Sequence, residues 1–138
     1  MDTERTIFQD IIEKKIPADI VFETNDVLAF LDIAPVAKGH TLVIPKHPVQ
    51  DIFSLSDSDA AHLMQAIVTI SRAVRTATKA PSVNVISNNG FEAGQEVLHL
   101  HFHIIPRVRR GEFQPLPHTT YADSEESASF AKAIHDAC

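Results

Sequence analysis

Three histidines alternate with apolar residues in the stretch His99-Leu100-His101-Phe102-His103-Ile104-Ile105-Pro106. In an extended strand, successive side chains point to opposite faces. His99, His101 and His103 then share one face, and Leu100, Phe102 and Ile104 fall on the other, which reads as core. Pro106 has no N–H for a ladder, so the strand is expected to stop near it. A row of imidazoles supports three chemistries. A neutral ring nitrogen can attack an electrophile while its neighbours hold anionic oxygens. Three rings can bind zinc, copper or iron. A half-buried strand can also simply carry a polar face. Strand faces more usually hold Thr, Lys or Glu, so the unbroken alternation favours a chemical role.

The elements that must position this row can be read in order. Residues 4 to 15 carry an apolar stripe, Ile7, Phe8, Ile11 and Ile12, at helical spacing. Asp2 or Thr3 can cap it and Pro17 ends it. Ile20 to Glu23 and Val27 to Asp32 form a predicted hairpin around Thr24-Asn25-Asp26. In its second strand Phe30 and Asp32 share a face. An aromatic beside a carboxylate suits a nucleoside; it equally suits a core Phe and a loop-capping Asp. His40 to Ile44 is the next strand, closed by Pro45-Lys46-His47-Pro48, where His47 reads as a surface turn residue. Ser56 and Asp59 open a long helix through Ala60, Leu63, Met64, Ile67, Val68 and Val74. Val83 to Ser87 is a strand, Asn88-Asn89-Gly90 turns out of it, and Ala93-Gly94-Gln95 leads into the histidines. Gly94 permits close backbone approach, as phosphate-holding loops need. Beyond Gly111 the chain reads as an extended tail, then a short helix capped by Asp123.

Composition narrows the classes. The chain has 138 residues, 44% of them hydrophobic, enough for one domain with a real core. No apolar run reaches the ~20 residues of a membrane span, and no secretory leader is visible. The single cysteine, Cys138, excludes an internal disulfide framework and fits a reducing, cytoplasmic setting. Net charge is −6, which disfavours a dedicated nucleic-acid binder. Arg107, Arg109 and Arg110 cluster after the histidines. They read either as a solvated strand end or as an attractor of polyphosphate.

The stretch His99 to Ile105 resembles the motif of the histidine triad (HIT) family of nucleotide hydrolases and transferases. The resemblance extends over roughly residues 5 to 112, through Ile7-Phe8, Ile16-Pro17-Ala18, Leu28 to Ile33, Gly39-His40, Leu42 to His47 and Ala93 to Val97. It implies an α+β fold: an antiparallel meander of about five strands, with the triad strand internal, one long and one short helix, and a two-fold dimer. A HIT domain is expected over 1–112, with a C-terminal extension over 113–138 packed on the domain or the dimer.

The resemblance also implies roles. His101 is the nucleophile at the α-phosphorus of a purine nucleotide, His103 and His47 stabilise phosphoryl oxygens, and His99 orients the loop. Ile7, Phe8, Ile11, Phe30 and Ile33 line the base slot, Asp32 binds ribose, and Asn88 and Gln95 contact phosphate. Many bacterial relatives carry Cys-x-x-Cys where this chain has Thr6 and Gln9, so no structural zinc and no cofactor is expected. The first half looks like the nucleoside phosphoramidase branch. Ala93-Gly94-Gln95 and Pro106-Arg107 look more like the dinucleoside polyphosphate branch, and Glu96 stands where the phosphoramidase branch usually has Ser. A non-catalytic nucleotide sensor is the alternative within the fold. A cupin-like metal protein is disfavoured because Ile104-Ile105-Pro106-Arg107 follows the row where a cupin would place a glutamate. The expected partners are a purine nucleotide and a second copy of the chain, with no nucleic acid and no membrane.

Overall fold

The computed structural model describes residues 5–138. Five antiparallel strands form one sheet in the order β1-β2-β3-β5-β4. They are β1 (Ile20–Glu23), β2 (Val27–Leu31), β3 (Thr41–Pro45), β4 (Ser82–Ile86) and β5 (Phe102–Arg107). The first three follow one another as a meander. Helix α2 (Asp57–Thr78) then carries the chain across the sheet to the far edge, and β5 returns to fill the gap beside β3. The triad-bearing strand is therefore internal, paired to β3 through Leu42 and His103 and to β4 through Ile86 and His103.

Both faces of the sheet are covered, which is why β2 and β3 read as continuous apolar runs. One face packs α2: Leu63, Ala66, Ile67, Ile70 and Val74 meet Val27, Ala29, Val43, Leu100 and Ile104. The N-cap of α2 forms as expected, with the Ser56 hydroxyl accepting from the Asp59 N–H at 3.1 Å. The opposite face is narrower. Phe8 and Ile11 of α1 (Ile7–Ile12) close on Leu28, Phe30, Leu42 and Ile44.

Helix α1 is shorter than the expected span 4 to 15. Asp2 and Thr3, the expected caps, lie outside the described residues. Thr6 instead precedes the first turn, and its N–H donates to the Gln9 side chain at 3.2 Å. At the other end Lys14 takes a left-handed conformation, φ 62°, and stops the helix before Pro17. Thr6 and Gln9, the pair that stands in place of two cysteines, thus form a helix start.

Two expectations for the histidine stretch are corrected. The ladder begins only at Phe102, so His99 and His101 precede it. The reason is a change of partner: the Leu100 N–H donates to the Val49 carbonyl at 2.8 Å, and the Ser87 hydroxyl to the His101 carbonyl at 3.0 Å. Pro106 does not end the strand, because β3 stops pairing at Ile104 and only β4 flanks Pro106. A missing N–H there breaks no β3 bond.

After β5 the chain makes a single 3-10 turn at Arg110–Glu112 and ends in α3 (Ser124–Ala137), capped by Asp123. No residue of α3 is buried. No described helix is long and apolar enough to cross a membrane.

Candidate active site

A cavity of about 580 Å³ opens where α1, the end of β2, the loop before β5 and the first part of β5 meet. His101 and His103 line one end of it. The other walls are apolar: Ile7, Phe8 and Ile11 from α1, Phe30 from β2, and Ile33 at the mouth, 95% exposed. Phe8 meets Phe30 edge-on at 5.5 Å and His101 at 5.2 Å, so one ring fixes both the slot and the imidazole.

The two cavity histidines are held in different tautomers. The His101 Nδ1–H donates to the His99 carbonyl at 2.7 Å, which leaves Nε2 as a bare lone pair. His103 is set by a relay. The Val36 N–H donates to His40 Nδ1 at 3.1 Å, so His40 carries its proton on Nε2. That Nε2–H donates to His103 Nδ1 at 2.9 Å, so His103 carries its own proton on Nε2. Burial, with His101 and His40 nearby, pushes the His103 pKa down to about 4, against a weaker opposing pull from Asp32. His103 is therefore neutral near pH 7. Burial likewise lowers His40. The cavity end thus offers one nucleophilic nitrogen and one neutral N–H donor side by side, their rings 5.1 Å apart.

His99 is buried and does not line the cavity. Its Nε2–H donates to the Pro45 carbonyl at 2.8 Å, and burial lowers its pKa. It ties the histidine segment to the end of β3, and its own carbonyl fixes His101. Asp32 lies on the wall, its Oδ1 accepting from the Ala34 N–H at 2.9 Å and its Oδ2 3.7 Å from His40 Nε2. Asn88 and Gly94 complete the floor. Gly94 has φ 90°, and a Cβ there would meet nothing within 4 Å, so its requirement is conformational.

His47 is not at this site. β3 continues through Pro45, and the chain beyond it turns toward the α2 face. There His47 is exposed, with Nδ1 3.1 Å from both oxygens of Asp59. The fourth histidine of the constellation is His40. The signal was present in the sequence: His40, Leu42 and Ile44 alternate, and Leu42 pairs with His103, so His40 falls on the histidine face.

Gln95 is also not a phosphate contact. Its side chain is buried and fully used, accepting from the Gly90 N–H at 2.9 Å and donating to the Gln50 and Val97 carbonyls at 2.7 and 3.1 Å. The cavity wall is made by its neighbours Glu96 and Val97. The arginines Arg107, Arg109 and Arg110 line no part of the cavity. Arg107 donates to Asn84 Oδ1 at 2.8 Å and Arg109 sits near Glu112, the solvated strand end of the two readings.

Asp32, His40 and His103 bring one ligand atom each within 4.8 Å of one another. A cation there would compete with the hydrogen-bond relay, which already uses both nitrogens of His40 and Nδ1 of His103. Asp26, Asp59 and His62 form a second such group, outside the cavity.

Comparison with known proteins places the sequence and the fold. Residues 13–110 match the model of the HIT domain. Protein hit of Bacillus subtilis is 43% identical over 95% of each chain. The adenosine 5'-monophosphoramidase hnt1 of Schizosaccharomyces pombe is 43% identical over 73% of each. The crystal structure of a HIT family protein from Bacillus anthracis superposes with a TM-score of 0.91 at 37% identity, covering 99% of both chains. Two histidines in opposite tautomers at the end of an apolar slot, held by His99 and His40 behind them, are thus set in a shared fold and sequence, and the chain belongs to the HIT family.

Proposed function

We propose that this protein is a nucleotide hydrolase acting at the α-phosphate of a purine nucleotide, of the phosphoramidase type, through a nucleotidyl-His101 intermediate. One observation carries the reading: the His101 Nδ1–H is committed to a carbonyl, so a bare Nε2 sits beside the neutral His103 donor at the end of an apolar slot. The 43% identical yeast relative described as an adenosine 5'-monophosphoramidase supports the substrate class.

The purine enters between Phe8, Ile11, Phe30 and Ile33, and the free Oδ2 of Asp32 accepts from ribose hydroxyls. His101 Nε2 attacks the α-phosphorus. A P–Nε2 bond forms and the bond to the leaving amine breaks; the amine keeps the electron pair and takes a proton from solvent. The His103 Nε2–H donates to a non-bridging oxygen as charge builds on it. The Glu96 and Val97 amides, which donate to no protein acceptor among the described residues, take the other oxygen in this reading. The nucleotidylated ring carries a positive charge, since Nδ1 keeps its proton, and the His99 carbonyl stabilises it. Water then attacks phosphorus, breaks the P–Nε2 bond, releases nucleoside monophosphate and gives a proton to solvent. No step requires a cation. The working form we propose is a homodimer.

The test is adenosine phosphoramidate turnover by the protein and by His101→Asn, with mass spectrometry of intact chains quenched during turnover. The wild-type chain should carry a mass increment of one nucleotidyl group on His101. The variant should lose several orders of magnitude in rate while still binding adenosine monophosphate by calorimetry. Near-normal turnover by the variant, or an adduct on His99 or His103, contradicts the assignment.

A further inference from the structure

We propose that Glu96 sets the leaving-group specificity of this site by charge, admitting a leaving group that bears an ammonium and disfavouring one that bears further phosphates. This rests on the α-phosphate reading above. The charged residues of the cavity wall are two acids, Asp32 and Glu96; among the described residues no lysine or arginine lines it. Asp32 already accepts from the Ala34 N–H and faces His40. Glu96 is exposed and takes part in no hydrogen bond or ion pair with a described side chain, so its carboxylate is free for a ligand. Of the basic residues that could balance a polyphosphate, Lys14 and Lys46 pair with Glu23, Arg107 donates to Asn84, Arg109 sits near Glu112, and Arg110 lines no part of the cavity.

The backbone under Glu96 is fixed from both sides. On one side Gln95 is pinned by its three side-chain hydrogen bonds. On the other, Val97 packs against the Phe8, Ile11 and Phe30 cluster. The Glu96 backbone is thus held at the wall that also carries His101 and His103, and its carboxylate stays within one side-chain length of that wall. A neutral His103 adds no positive charge. The reacting phosphate carries a single negative charge that N–H donors can meet, whereas each further phosphate adds negative charge for which the wall offers no lysine or arginine among the described residues. At about 4 Å, even with water between, one unit charge changes an equilibrium on the order of fivefold, and more beside a low-dielectric wall.

The experiment compares three substrates with the same adenylyl half: an aminoethyl phosphoramidate, whose leaving amine bears an ammonium; the uncharged propyl phosphoramidate of similar shape; and diadenosine tetraphosphate. For the wild-type protein, kcat/KM for aminoethyl over propyl should be on the order of fivefold or more, and added salt should compress the ratio. Glu96→Gln should bring the ratio close to one. Glu96→Lys should invert it and raise diadenosine tetraphosphate relative to the propyl compound. Thermal unfolding checks that both variants are folded. If all three proteins show the same ratio, Glu96 does not select by charge and the inference falls while the α-phosphate reading stands. If the wild-type protein turns over none of the three, both fall together.

Discussion

His101 and His103 are the same residue type two positions apart, yet their neighbours give them opposite duties. A carbonyl at 2.7 Å leaves one with a bare Nε2, and a donor at 2.9 Å leaves the other with an Nε2–H. The second arrangement has a pH signature. An unfolded histidine takes up a proton near pH 6.5, whereas His103 in the fold does so only near pH 4. Between those values the unfolded chain binds more protons, so the stabilisation is complete above about pH 6.5 and lost as pH falls toward 4. His40 and His99 shift in the same direction. Urea unfolding at pH 7.5 and pH 5 should show a loss on acidification to which His103 contributes on the order of 1 kcal/mol, allowing for its partial exposure. His103→Gln should reduce that loss; stability that rises on acidification contradicts the relay. The triad itself was legible in the sequence because the alternation is short and unbroken. His40 was harder to see, since its role depends on strand pairing across more than sixty residues. His47 was a candidate only through the resemblance; read from its own turn it was a surface residue, and the structure leaves it on the surface beside Asp59. The phosphate role of Gln95 likewise came from the resemblance, and the buried partners that occupy its side chain, the Gln50 and Val97 carbonyls, are not visible in the local sequence.

At the scale of elements, the histidine segment works because its other face is core. Leu100 and Ile104 are fully buried under α2 while His101 and His103 line the cavity on the opposite side. Chemistry and stability are therefore separable by parity along one segment. Leu100→Ala should cost roughly 2–5 kcal/mol, read as a lower urea midpoint with unchanged slope. The adenosine phosphoramidate kcat of the folded fraction should change far less than in His101→Asn; a loss of comparable size would mean that the two faces are coupled. Parity was readable directly from the sequence, as were the hairpin and the α2 cap; the internal position of β5 came only with the family resemblance. The ladder boundary was not. His99 to His101 leave the sheet because Val49 offers a carbonyl to Leu100, a contact between loops that no local pattern encodes. The strand order had the same limit: α2 spans the sheet, and its length permits either a neighbouring or a distant landing for β4.

At the scale of the whole molecule, a sheet edge and a helix stand out as lacking a partner among the described residues. β4 closes one end of the sheet, with Val85 and Ile86 partly exposed beside its unpaired edge. Open edges of this kind invite pairing with another chain. Helix α3 buries none of its residues, yet carries Phe130 and Ile134, with Tyr121 stacked 5.9 Å from Phe130. A helix of 14 residues that buries none of its side chains would be marginal in water. Both features are accounted for if two copies join at the β4 edges and each α3 packs on the other copy, the homodimer proposed above. Light scattering at micromolar concentration should then give twice the 15.2 kDa chain mass. The double change Phe130→Ser with Ile134→Ser separates the two contributions. If α3 packs on the second copy, dissociation should become at least about tenfold easier, as expected when an apolar anchor is removed from an interface. The domain core should keep its far-ultraviolet spectrum, because neither residue is buried within its own chain. A monomeric wild-type protein at that concentration contradicts the dimer. A dimer whose dissociation is indifferent to the double change keeps the β4 edge as the joint and removes α3 from it.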